Sequence, residues 1–225
     1  MKKLKTLIPL INSIATSPKN FSLLLGAGVS TSAGVPLAET DLPGLPSIVT
    51  RIKEMSFLRT NPSKPPIPEQ IEKWLAEQNL LQNALTRYSD AFDLVGSTST
   101  EHRNFLKPFF EGKRPTPGHT HLAALMAEEY FACAFTTNFD DLMEEAIRRL
   151  RSDDHRLTPQ VVVHDQSAKD LDPLDNTLKV VKLHGDFLFS DIDNTEQQTK
   201  DLRRYMREGL ELFLPALRPA PRRLR

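Results

Sequence analysis

The passage from residues 21–25 (FSLLL) into residues 25–34 (LGAGVSTSAG) constrains the fold of this chain more than any other stretch. A short apolar run cut off by glycine reads as a fully buried parallel strand. Gly26 and Gly28 carry no Cβ, so the backbone there can approach a ligand closely. A helix beginning near Ser30 would aim its free N–H groups and positive dipole end into the turn, where a phosphate-sized anion is the natural guest. Strand, glycine turn and helix together suggest a dinucleotide site. The spacing is not the usual fingerprint, because the next glycine after Gly26-x-Gly28 is Gly34 rather than one at position 31. No lysine stands in the P-loop position, which argues against a nucleoside-triphosphate cradle. A tight turn whose glycines serve packing alone is the competing reading.

Two later segments bear on that choice. Residues 115–141 read PTPGHTHLAALMAEEYFACAFTTNFDD, and residues 180–186 read VVKLHGD. The chain thus carries, in order, GAG-x-S-x-x-x-G-x-P on Gly26, Ala27, Gly28, Ser30, Gly34 and Pro36, then P-x-x-x-H-x-x-L-x-x-L on Pro115, His119, Leu122 and Leu125. T-x-N-x-D on Thr136, Asn138 and Asp140 and the pair His184-Gly185 follow. Motifs of this content in this order resemble the sirtuin (silent information regulator) superfamily. The resemblance implies an α/β domain with a Rossmann-like parallel sheet, flanking helices and a helical insertion. It further implies NAD as substrate, bound by Gly26, Ala27, Gly28, Ser30, Gly34, Thr137, Asp140 and Gly185, with Asn138 and His184 as the catalytic pair.

Asn138 and Asp140 fall at the end of one expected strand and His184 at the end of another, and in open parallel sheets those ends border the ligand crevice. Cleaving the nicotinamide–ribose bond passes through an oxocarbenium-like state, which needs a positioned water or hydroxyl and a group to accept a proton. A histidine titrates close to neutrality and suits the second task. An asparagine offers both donor and acceptor and can orient water and ribose without adding charge. Plainer readings stand beside these: Asn138 suits a helix N-cap, and Asp140 and Asp141 suit a first helical turn. His119 and His121 read as structural, and Ser30, Thr31 and Ser32 as caps or phosphate-facing hydroxyls rather than nucleophiles.

Some family features are missing. Deacylating sirtuins hold a structural zinc on two Cys-x-x-Cys pairs, whereas Cys133 is the one cysteine here. That excludes the tetrahedral module, and no metal site is expected. Pro36 is followed by Leu37, Ala38 and Glu39 instead of the usual Phe-Arg pair. The remaining NAD core resembles the sirtuin-like effector domains of bacterial antiviral systems, which implies an NAD glycohydrolase held in check until a protein partner or homo-oligomer triggers it. A zinc-free deacylase and a module that binds NAD or ADP-ribose without turnover are the alternatives.

The formal net charge is zero, which gives no global attraction to nucleic acid or an anionic membrane. A lone thiol inside an apolar strand fits packing and a reducing compartment. The basic, apolar N-terminus is interrupted by Pro9, Asn12 and Ser13, so it reads as an amphipathic helix with Leu7, Ile11, Ile14 and Ala15 on one face rather than a secretory signal. No run approaches the roughly 18 apolar residues that span a bilayer, and a cytoplasmic location is expected. Residues 1–214 read as one domain, with 37–114 as a lid and helical insertion. Helices are expected over 69–87, with Leu81 and Leu85 among its apolar positions, over 101–110 and 119–129, and from about 139 to 150, with Glu144–Arg148 and Glu145–Arg149 pairs outside. Strands are expected over 131–136, 160–163 and 178–183. Residues 195–212 can form a charged helix, and 215–225 read as a Pro/Arg-rich tail, disordered or a product of truncation. The further strand whose glycine-serine turn holds the adenosine half of NAD in sirtuin-like domains has no counterpart here.

Overall fold

A computed structural model describes residues 2–17, 20–150, 158–163, 177–186 and 191–192. Strands β1 (Leu23–Leu25), β2 (Cys133–Thr136), β3 (Gln160–Val162) and β4 (Lys179–Lys182) form one parallel sheet in the order β1-β2-β4-β3. β2 and β4 lie in the middle and are buried at every position, as central strands of a parallel sheet are, although β4 begins and ends on a lysine. β1 is parallel as expected but stands at an edge, so only its last residue is buried and Leu24 is 74% exposed. The two-stranded antiparallel pair β5 (Gly185–Asp186) and β6 (Asp191–Ile192) follows β4 directly.

Helices α6 (Pro117–Ala127) and α7 (Leu142–Arg148) pack on one face of the sheet. Ala123, Met126, Met143, Ala146 and Ile147 meet Leu25, Ala134 and Val180 there, alternate strand residues that share one face. Met126 points inward, while Leu125 is 39% exposed. Glu145 pairs outside with Arg149 at 2.8 Å and Arg148 at 3.4 Å. Glu144 departs from expectation. It is buried and turns toward β4, because a strand lysine offers it a better partner than Arg148 does.

The insertion is built from α2 (Ile48–Thr60), α3 (Pro68–Glu77), α4 (Arg87–Val95) and α5 (Ser99–Phe110). α2, which the sequence reading passed over, starts at Ser47, whose side chain accepts from the Thr50 amide. Of the single helix expected over 69–87, only α3, to Glu77, forms, and the non-helical residues 78–86 separate it from α4. Asn79 and Leu81 adopt positive φ between them, and Leu85 is 95% exposed rather than packed. α5 begins with a capping box between Thr98 and Glu101. Val49, Ile52, Phe92 and Leu106 form the insertion core, and Phe139 and Leu142 join it to the sheet domain. Trp74 flanks a smaller cluster, edge-on to Phe57 with centroids 5.9 Å apart.

α1 (Lys2–Thr16) forms as expected, but Leu7 and Ile11 are about half exposed, so its apolar face does not pack on the described chain. No described helix is long and apolar enough to cross a membrane. The helix expected over 195–212 and the tail at 215–225 lie outside the described residues.

Candidate functional site

Strand register brings the motifs together. Leu25 pairs with Thr136, and Thr136 with Lys182, so three parallel strands end level with one another. The residues that follow, Gly26 and Ala27, Thr137 and Asn138, and Leu183 and His184, therefore emerge side by side at the carboxyl edge of the sheet. The Thr137 amide donates to the Leu25 carbonyl and the Leu183 amide to the Thr136 carbonyl, carrying the alignment one residue beyond the strands.

A cavity of about 290 Å³ opens at this edge, close to the lower end of the roughly 300–1,000 Å³ typical of small-ligand sites. Its polar lining is Thr137, Asn138, Asp140 and His184, all at strand ends. Val35, Ile48, Tyr88, Phe110 and Phe139 supply most of the apolar lining, largely from the insertion. Packing around the Tyr88 phenol drives its pKa upward, with Glu39 adding to the shift, so it stays neutral.

The glycine turn differs from the expected strand-to-helix unit. Residues 27–29 and 31–33 form two 3-10 turns, each too short for a sustained dipole. Gly34 ends the second at φ 79°, a left-handed conformation that halts the turn where Val35 drops into the core. Of the residues assigned to NAD, Ala27, Thr137 and Asp140 line the cavity, as do Asn138 and His184. Gly26, Gly28, Ser30, Gly34 and Gly185 do not. Gly26 and Gly28 are exposed on the outer side of the turn, and Gly185 is buried behind His184 at φ 85°.

Ser30 faces inward rather than toward an anion. It is fully buried, and its Oγ accepts from Asn138 Nδ2 at 3.1 Å while lying 3.4 Å from His119 Nε2. The Thr116 amide donates to His119 Nδ1, so the ring proton sits on Nε2, directed at Ser30. Burial lowers the His119 pKa, only partly opposed by Asp140, and keeps the ring neutral. His119, read from sequence as structural, is thus one step removed from Asn138. Asn138 is not the N-cap of α7; its amide donates to Thr136 Oγ1, and Asp140 Oδ1 accepts from Leu142. The Asn138 Oδ1 is buried and has no hydrogen-bond partner among the described residues. A buried carbonyl oxygen left so in a cavity wall fits a ligand hydroxyl or a water.

Behind this wall lies a charged cluster that sequence reading missed. Lys182 is fully buried, 2.9 Å from Glu144 and 2.8 Å from Asp186, and its ammonium also donates to the Asp140 carbonyl. Burial works to lower the Lys182 pKa, but Glu144 and Asp186 outweigh it and the net shift is upward. Burial raises the Glu144 pKa, with Lys182 offsetting part of the effect. A lysine in the apolar run VVKL was the available signal, since lysine is almost never fully buried unless paired. Among the described residues no cluster of histidine, cysteine and carboxylates could hold a metal.

The family model described as a SIR2-like domain matches residues 132–220. The match includes Asn138, Asp140 and His184, while the glycine turn lies upstream of it. No curated protein matches the chain.

Proposed function

We propose, from the SIR2-like domain matched over residues 132–220, that this chain is an NAD glycohydrolase, releasing nicotinamide and ADP-ribose. One observation carries this reading: Asn138 and His184, from different strands, line a single cavity whose opposite wall is apolar. That wall suits the flat nicotinamide ring, and the polar edge suits the ribose.

Bond cleavage builds positive charge on the ribose as neutral nicotinamide departs. Asn138 Oδ1 accepts a hydrogen bond from the attacking water or a ribose hydroxyl and orients it. His184 takes the proton as the new C–O bond forms. Asp140 lines the same polar edge, where its carboxylate favours the cationic substrate before cleavage. The dinucleotide enters as substrate, and the cavity volume accommodates its nicotinamide end.

An unrestrained enzyme of this kind would exhaust its host's NAD, so its activity is gated by a protein partner or by self-association. Such a device serves defence against phage in the cytoplasm. Incubating the purified chain with NAD, with and without an acetyl-lysine peptide, tests the reading. Free ADP-ribose without peptide supports it, acetyl-ADP-ribose supports a zinc-free deacylase, and binding without product supports a sensing module.

A further inference from the structure

We propose that Lys182 is a positioning residue that holds the Asn138 loop and the His184 turn at a fixed separation, through simultaneous contacts with Glu144, Asp186 and the Asp140 carbonyl. The inference rests on the reading that Asn138 and His184 do the chemistry.

Three separate pieces of backbone meet at one ammonium group. Asp140 is two residues beyond Asn138, and its carbonyl accepts from Lys182 Nζ. Asp186 is two residues beyond His184 and lies on β5, so its bond to Lys182 closes the tight turn 183–185 across the histidine. Glu144 belongs to α7, which starts just after the Asn138 loop. The ammonium forms ion pairs with the two carboxylates and donates a hydrogen bond to the carbonyl.

The arrangement is more than charge neutralisation. Two carboxylates already compensate the ammonium, and the contact with the Asp140 carbonyl adds nothing to that balance. What it adds is geometry, because it ties the main chain of the loop directly to β4. Lys182 also sits in β4 with Thr136 of β2 as its register partner, so it grips the loop from a strand that cannot slide. Buried multi-acceptor contacts of this kind fix a separation far better than one surface ion pair does.

The decisive variant is the triple change Glu144→Gln, Lys182→Met and Asp186→Asn in the full chain, which leaves no ionisable side chain in the cluster. Removing the whole set avoids the unpaired buried charge left by any single change. Two readouts are taken: hydrogen exchange at the Asn138 and Leu142 amides relative to β2 and β4, and kcat against KM for NAD. Loop exchange is expected to accelerate at least about tenfold relative to the strands. The kcat is expected to fall on the order of a hundredfold, as an ångström of misplacement would cause, with KM within about threefold. A folded variant that retains loop protection, or that loosens the loop without losing kcat, overturns the proposal. If the variant does not fold, the wild-type chain decides. Its Asn138 and Leu142 amides must then exchange within about tenfold of β4 amides, and exchange a hundredfold faster overturns the proposal. Exchange needs no NAD turnover, so it decides the role of Lys182 even where the gated wild-type chain leaves NAD intact, and a failure of the proposed function stays distinguishable from a failure of this one.

Discussion

The cavity has two unlike walls. The strand-end wall carries Thr137, Asn138, Asp140 and His184, and polar groups support it: Ser30, with His119 beside it, at Asn138, and Lys182 at Asp140. The insertion wall carries Ile48, Tyr88 and Phe110, backed by the apolar cluster of Val49, Ile52, Phe92 and Leu106. Polar groups hold position through directional bonds whose loss leaves a buried atom unsatisfied, whereas apolar groups hold position by close packing. The difference teaches a division of labour. The strand ends determine which atoms react, and the insertion determines how dry and how narrow the space is.

That division is sharpest in the largest expected effect. Replacing Asn138 or His184 by alanine should lower kcat for NAD cleavage by about 10²–10⁴-fold, with the fold intact by circular dichroism. Full activity in either variant would remove that residue from the chemistry. Phe110→Ala tests the other wall. Phe110 is buried in both the cavity lining and the insertion core, so truncation should cost about 3 kcal/mol of stability in a denaturant titration. Its kcat per folded molecule should stay within about tenfold of wild type, since an apolar wall contributes mainly uniform binding. A loss of kcat matching that of His184→Ala would break the comparison.

The strand-end wall was largely legible in the sequence, because short apolar runs ending in Gly26, Asn138 and His184 mark where parallel strands stop. What lay behind it was not. Glu144 and Arg148 have the spacing of a surface ion pair, yet Glu144 bonds to Lys182, a partner 38 positions away that helix periodicity cannot reveal. The insertion was poorly legible for a local reason. Prolines at 62, 65, 66 and 68 suggested a long irregular stretch and masked α2, although Ser47 is a good N-cap ahead of Ile48 and Val49. The break at Asn79 and Leu81 lies in positive-φ backbone without glycine, which composition does not announce. At the glycine turn, the glycines correctly signalled a tight return of the chain. The inference from glycine to a helix start failed because the chain continues through 3-10 turns to Gly34.

Smaller effects probe the supports of each wall. Gly34→Ala places a Cβ at φ 79° and 3.1 Å from Lys113 Nζ, and the lysine can swing away while the backbone strain cannot be relieved. A cost of about 1–2 kcal/mol is expected in urea unfolding. A much larger loss would mean that the turn, and not only Val35 beyond it, anchors the insertion.

The subtlest effect is a pH dependence confined to the polar wall. Burial depresses the His119 pKa below its ordinary 6.5, with Asp140 opposing it in part. The unfolded chain therefore binds the proton more readily than the native one. The contribution of His119 is fully present above about pH 6.5 and is lost as pH falls through the folded pKa. Glu144 and Asp141 act in the opposite sense: burial raises both, the native state holds their protons more tightly, and their contribution fades as pH rises above the ordinary carboxylate range. A wild-type stability profile mixes these slopes, so the informative quantity is the difference from His119→Asn. Between about pH 7 and pH 5.5 the wild-type melting temperature should fall more steeply than that of the variant. Parallel profiles would mean that the folded and unfolded chains hold the His119 proton equally, and that burial does not depress its pKa.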